Sequence, residues 1–174
     1  MKFSDIPRFT RNGNWECNFP LNNLVRQIEE WEREEGLDMN PDFQRGHVWT
    51  EQQQIDFIEF ILKGGNTGRV IYLNHPTWMG SFDTSKSDIG FVCVDGLQRY
   101  TAIKRFIKNE IKAFGYFYKE FEGSIRMVND MKINVNDLPT KKDVLKWYIE
   151  MNSGGTPHTE EEINRVKKLL EECK

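Results

Sequence analysis

Phe91-Val92-Cys93-Val94-Asp95-Gly96-Leu97-Gln98-Arg99-Tyr100-Thr101-Ala102-Ile103 is the stretch whose reading decides the fold. Four apolar residues suited to a buried strand run into Asp95-Gly96, and from there Leu97, Ile103, Phe106 and Ile107 fall at helical spacing. The stretch therefore predicts a strand, a tight turn and a helix start. A helix start aims its first backbone N–H groups outward with a partial positive charge, which suits an anion. Gly96 permits close backbone approach there, Arg99 offers a forked cation for phosphate, and Asp95 suits a metal, a water or a ribose hydroxyl. The same residues also fit a plainer reading, in which Asp95 is a helix N-cap and Arg99 a solvated side chain.

Outward from this junction the pattern alternates strands and helices. Upstream, residues 69–75 read as a buried strand ended by Pro76, and the polar residues 77–88 connect it to a second strand over 89–94. Downstream, residues 111–118 alternate apolar and aromatic side chains and predict a strand with Gly115 as a bulge. Glu122-Gly123 reads as a turn, and residues 127–135 hold one or two short strands. At the other end, Trp15 to Phe19 is a short edge strand closed by Pro20. Leu24, Val25, Ile28 and Trp31 then recur at three and four, with Glu29, Glu30, Glu32, Arg33 and Glu34 on a solvated face and Gly36 closing the helix. Thr50 and Gln53 form a capping box for an amphipathic helix through Ile55, Phe57, Ile58, Ile61 and Leu62 that stops at Gly64-Gly65. A helix from Lys141 crowds Val144, Leu145, Trp147, Tyr148 and Met151 onto one side, and Thr159 with Glu162 caps a last helix to Leu170. The class is α+β.

Two connections carry more chemistry than a turn needs. Residues 40–50 are too rich in Pro, Gly and polar residues for a regular element, yet Phe43, Val48 and Trp49 would anchor them to the core. Gln44 and Arg45 are thus presented by a loop pinned on both sides. Arg45 is either a second phosphate or carboxylate ligand or an ordinary surface arginine. The loop Asn152-Ser153-Gly154-Gly155-Thr156-Pro157-His158 either wraps a ligand or simply joins two helices through a glycine C-cap.

Size and composition narrow the classes. The 174 residues suit one domain with a real core, and 29% charged with 13% aromatic residues marks a folded chain. The net charge of −3, with both signs interleaved, argues against the broad phosphate-tracking surface that duplex DNA needs and leaves only a local patch for it. No apolar window approaches a membrane span and Met1-Lys2-Phe3-Ser4-Asp5 lacks a signal-peptide core, so a cytoplasmic protein without membrane contact is expected. Cys17, Cys93 and Cys173 have no paired spacing and read as reduced thiols. His47, His75 and His158 stand outside any His-Asn-His or H-x-x-P context, and no carboxylate pair suggests a two-metal nuclease, so no cutting is expected from this chain alone.

Three elements become specific when taken together: Pro41-x-Phe43-Gln44-Arg45-x-x-x-Trp49 before a helix, Asp95-Gly96-Leu97-Gln98-Arg99-x-Thr101 after a strand, and Asn152-x-Gly154-Gly155-Thr156-Pro157 before a final helix. In order and spacing they resemble the ParB/sulfiredoxin-like superfamily. The closer resemblance is to its branch in GmrSD-type modification-dependent restriction systems, whose signature is D-G-Q-Q-R preceded by F-Q-R. The resemblance covers nearly the whole chain and implies a single α+β domain over residues 20–174, a small mixed sheet flanked by helices, after an N-terminal extension over 1–19.

In related restriction proteins this domain is associated with nucleotide binding and hydrolysis that regulates or powers an attached nuclease. Carried over by position, Asp95, Gln98 and Arg99 would be catalytic. Gln44, Arg45, Gly96, Arg99 and Thr101 would line the nucleotide site, with Asn152, Gly155 and Thr156 closing over base, ribose or phosphate. Asp95 would also hold Mg²⁺ with a nucleoside triphosphate. One departure is Leu97 at the third motif position, in place of glutamine: facing the core it is harmless, facing a ligand it removes an amide. The expected function is a nucleotide-binding domain, with or without slow NTP hydrolysis, acting as sensor or regulator in bacterial or phage restriction or its evasion, with a nuclease or other defence protein as partner. The alternatives are a DNA-binding or nicking ParB-like module, and a protein-binding inhibitor or decoy that has lost turnover.

Overall fold

The computed structural model describes residues 1–6, 15–44, 46, 48–78, 80, 87–123, 130–153 and 160–173. Its middle layer is a mixed sheet of β1 (Trp15–Phe19), β2 (Val70–Asn74), β3 (Val92–Asp95) and β4 (Met131–Asn136), in the order β1-β4-β2-β3. β2 and β4 run parallel, while β1 pairs antiparallel with β4 and β3 antiparallel with β2. Trp15 lies opposite Val135 and Phe19 opposite Met131, so this N-terminal segment is hydrogen-bonded into the sheet.

Strand alternation splits the core in two. Ile71, Leu73, Cys93, Met131, Ile133 and Val135 face α1 (Leu21–Glu34), α2 (Glu51–Leu62) and α3 (Leu97–Ile107), which bury Leu24, Ile28, Ile58, Ile61, Ile103 and Phe106 against them. Tyr72, Val92 and Val94 face the other way, onto α4 (Lys141–Ser153) and α5 (Glu160–Glu172), where Leu145, Trp147, Tyr148 and Val166 close a second cluster. Each fully buried Leu, Ile or Phe adds about 1.5–3 kcal/mol relative to exposure. The result is the small mixed sheet flanked by helices expected for the class. Among the described residues, no helix is long and apolar enough to cross a membrane.

Local chemistry explains most element ends. At α2, Thr50 Oγ1 accepts from the Gln53 N–H at 3.3 Å and Gln53 Oε1 accepts from the Thr50 N–H at 2.8 Å, completing the capping box. Buried Asn74, at the end of β2, donates from Nδ2 to the Leu138 carbonyl at 3.0 Å and accepts the Leu138 N–H on Oδ1 at 2.8 Å, which fixes the β4–α4 connection. Lys104 of α3 and Lys108, the residue just after it, reach Glu29 of α1 at 3.2 and 2.5 Å, joining the helices along their solvent edge.

The structure corrects three expectations. Residues 111–118 form a reversal, not a strand: Phe114 and Gly115 have φ of 52° and 81°, and Ala113 and Tyr116 exchange N–H···O bonds of 2.9 Å across them. Phe114 and Tyr116 point to solvent at the tip, so their alternation was never a buried face. Val48, expected to anchor the 40–50 loop, is exposed, whereas Phe43 is buried and Trp49 packs on Phe57 with ring centroids 5.4 Å apart. The strand expected over 89–94 pairs only from Val92, because its partner β2 ends at Asn74, which lies opposite Val92. The expected capping box at Thr159 and Glu162 and the mid-loop residues 81–86 lie outside the described residues.

Candidate functional site

The site is built at the carboxyl end of β3. Pairing with β2 slips between Tyr72 and Leu73, whose partners are Asp95 and Cys93, so Val94 is an extra residue bulged out of register. The bulge re-aims the chain as it enters the turn. Gly96 follows with φ 127° and is itself the N-cap of α3, with its carbonyl accepting from the Tyr100 N–H at 2.9 Å. A Cβ on Gly96 would stand 3.1 Å from the Ile71 Cα and 3.0 Å from its Cγ1. Close backbone approach to a central strand is what requires glycine here. Asp95 is therefore the last strand residue and not the helix cap of the plainer reading.

Asp95 is used otherwise. Its Oδ2 accepts from Arg99 Nη2 at 2.5 Å, one helical turn on, with the two side chains 38% and 16% exposed. Among the described residues Asp95 is the one hydrogen-bond partner of Arg99. Among the described residues no second acceptor meets its remaining N–H groups. A guanidinium that is mostly covered, held by one carboxylate and left with spare donors, is prepared to take an oxyanion. Asp95 Oδ1 is likewise left without a protein donor among the described residues.

The two glutamines of the motifs do something the sequence did not reveal. Gln44 Nε2 donates to the carbonyls of Cys93 at 3.3 Å and Val94 at 2.7 Å, serving the outer edge of β3 beside the bulge. The Asp38 N–H donates to Phe91 O at 2.9 Å and Asp38 O accepts from Cys93 at 2.8 Å, so residues 38–44 cover that edge as another strand would. In the opposite direction, Gln98 Oε1 accepts from the Val48 and Trp49 N–H groups at 2.9 and 3.1 Å, and its Nε2 donates to the Gly46 carbonyl at 2.5 Å. The first motif grips the strand of the second, and the second grips the loop of the first. Arg45 lies outside the described residues, but Gln44 and Gly46 on either side of it are both held.

The remaining expected residues are placed less directly. Thr101 Oγ1 donates to the Leu97 carbonyl one turn back at 2.8 Å, and Asn152 Nδ2 donates to Tyr148 O at 2.7 Å, so both bond within their own helices. Gly155 and Thr156 lie outside the described residues. Leu97 is half-buried and packs against the larger core, so the position where the resemblance implies glutamine is a packing position here. Cys93, next to the turn, is not a nucleophile: burial pushes its thiol far up, the Asp95 carboxylate adds to this, and Arg99 only partly offsets it.

One contributor had no signal in the sequence. Arg165, on the polar side of α5, donates from Nη2 to the carbonyls of Phe43 at 3.1 Å and Gln44 at 2.7 Å. Nothing in the charged run around it sets it apart from its neighbours.

As to a metal, no three His, Cys, Asp or Glu side chains converge among the described residues. Asp95 alone fits Mg²⁺ of the kind completed by phosphate oxygens and waters, which is how that ion usually binds with nucleotides.

A bulged strand, a glycine turn and a helix carrying a carboxylate–guanidinium pair, faced by a glutamine-clamped loop, make up the candidate site of a small α+β domain. The chain belongs to the family of the N-terminal domain of the GmrSD restriction endonuclease, whose family model matches residues 21–130. That span runs from α1 to just before β4 and holds both clamped motifs. Neither a curated protein nor a solved structure matches the chain.

Proposed function

We propose that this domain binds a nucleoside triphosphate with Mg²⁺ at the Asp95–Arg99 turn and acts as a nucleotide-dependent regulator in restriction or its evasion. The observation that carries the reading is Arg99: mostly covered, fixed by Asp95 alone among the described residues, and set in the first turn of a helix. Asp95 divides its carboxylate, Oδ2 orienting Arg99 and Oδ1 remaining for a water or Mg²⁺. Bound Mg²⁺ would supply charge neutralisation for the phosphates. Arg99, the α3 N–H groups and Arg45 supply the protein's share, and positioning with charge neutralisation is most of what phosphoryl transfer asks of a protein. Gln44 and Gln98 serve the site by holding its two halves together.

The test is calorimetry with ATP, GTP, CTP and UTP, each with and without Mg²⁺, on the unaltered chain and on Arg99→Ala. One nucleotide should bind, and Arg99→Ala should weaken it tenfold or more, as expected from about 1.5–3 kcal/mol for a charge-assisted bond. Equal binding by Arg99→Ala would falsify the assignment of Arg99. Binding of no nucleotide, together with retention on duplex DNA that falls steeply with salt, would move the reading to a DNA-binding module.

A further inference from the structure

We propose that the site continues from the Asp95–Arg99 turn along one face of the sheet, where Tyr72, Asn134 and Glu16 form a subsite for the nucleoside part of the ligand. Asn134 Oδ1 accepts an N–H of the base there; the assignment rests on the nucleotide reading above. Strand register puts these residues in one row. Asp95 lies opposite Tyr72, Tyr72 opposite Asn134, and Asn134 opposite Glu16, so one level of the sheet carries a polar group on every strand. Ile71, Leu73, Ile133 and Val135 fill the larger core, which leaves Tyr72 and Asn134 on the other face. Strands about 4.8 Å apart put Asn134 about 10 Å from Asp95, a reach that suits a base whose phosphates sit at Arg99.

Asn134 is the unusual member of the row. It is 2% exposed, and its Oδ1 is buried without a hydrogen-bond partner. Turning the amide over would not cure this. Nδ2 donates to Glu16 Oε1 at 2.8 Å, while Lys132 Nζ donates to Glu16 Oε2 at 2.9 Å. The bonds from Lys132 and Asn134 hold the Glu16 carboxyl below its usual range, so it stays ionised and only accepts. The fold thus leaves one acceptor unpaired, a destabilising state that a ligand donor relieves. Toward solvent the row is bordered by Lys132 and Glu16, whose side chains are 39% and 47% exposed, and an ion pair that open opposes an entering ligand weakly. On the inner side Trp147 of α4 stands edge-on to Tyr72, with ring centroids 6.0 Å apart at 90°.

The experiment is calorimetry on the full chain with Mg²⁺, comparing inorganic tripolyphosphate with ATP, GTP, CTP and UTP for the parent, Asn134→Leu and Glu16→Gln. In the parent the preferred nucleotide should bind about tenfold tighter than tripolyphosphate, or more. Asn134→Leu keeps a similar volume and removes the unpaired acceptor, so it should cut nucleotide affinity about fivefold or more and leave tripolyphosphate within about twofold. Glu16 is exposed on edge strand β1, so Glu16→Gln should fold whatever Asn134→Leu does. Its new amide N–H group meets Asn134 Oδ1 from within the protein, and nucleotide affinity should fall about threefold with tripolyphosphate again unchanged.

Equal losses for tripolyphosphate and nucleotide in both variants would make Asn134 a residue of the fold alone and overturn the subsite. A parent that binds tripolyphosphate as tightly as every nucleotide would also overturn it, while the phosphate site at Arg99 stands. Binding of neither ligand overturns the nucleotide reading and the subsite with it.

Discussion

Replacing Gly96 by alanine tests the geometry on which the site stands. The residue sits at φ 127° and ψ 0°, a conformation L side chains rarely adopt, and that strain costs about 1–3 kcal/mol. The new Cβ would also stand 3.1 Å from the Ile71 Cα and 3.0–3.1 Å from its two γ carbons. Ile71 cannot step aside, because β2 is paired with β4 on one side and β3 on the other. Overpacking of this kind adds about 1–3 kcal/mol, so the total is about 4 kcal/mol, the middle of the summed range. At about 2–4 °C per kcal/mol for a chain of this size, the midpoint should fall by roughly 8–16 °C. Gly115→Ala is the control: φ there is 81° but nothing lies within 4 Å of the added Cβ, so only a backbone cost of about 1 kcal/mol applies. Calorimetric melting of both variants isolates the contact term. Midpoints for the two variants within about 2 °C of each other would refute the close approach of the turn to β2.

Three further outcomes follow from named contacts. Gln98→Ala leaves Gly46 O and the Val48 and Trp49 N–H groups without their side-chain partner, and should cost about 1–3 kcal/mol in urea unfolding, with faster amide exchange over residues 46–49; no change in either would make the clamp decorative. Asn74→Ala strips both backbone groups of Leu138 in a buried setting, for a loss of about 2–4 kcal/mol by the same assay, and a loss below about 1 kcal/mol would contradict it. His75, half-buried against Trp78 and Phe91 and accepting the Thr77 N–H on Nδ1, has its pKa lowered by burial, with Glu35 opposing. The unfolded chain then binds the proton more readily, so His75 adds stability that is complete above about pH 6.5 and is lost as pH falls through its lower folded value. Melting curves between pH 7.5 and 5 should decline less for His75→Gln than for the parent, and parallel declines would exclude this histidine as a source.

How much of this was legible in the sequence depended on how far away each residue's partner lies. The capping box of Thr50 and Gln53 and the amphipathic helices were readable because their partners lie three or four residues off. Gly96 was readable as a close approach since an Asp-Gly junction between strand and helix has few other uses. The failure at 111–118 has a specific cause. Phe114 and Tyr116 supplied the aromatic alternation of a strand, but they are exposed at the tip of a reversal that only their backbone angles reveal. The roles of Gln44 and Gln98 were not legible for a different reason. An amide side chain near a candidate ligand site reads the same whether it meets the ligand or a backbone some 50 residues away, and here both meet backbone. Arg165 is the extreme case, with its partners across most of the chain and no local pattern around it.

That division of labour bears on what the motif is for. In Asp95-Gly96-Leu97-Gln98-Arg99, Gly96 is fixed by steric need against Ile71, Leu97 by packing on the core, and Gln98 by the loop it holds. Subtracting these leaves Oδ1 of Asp95 and the spare N–H groups of Arg99 as the motif's free chemical capacity among the described residues. Leu97 thus fills a packing position and takes no part in that capacity. Among the described residues the motif's free side-chain atoms are therefore one carboxylate oxygen and one guanidinium, which Gln98 ties to the loop through Gly46, Val48 and Trp49.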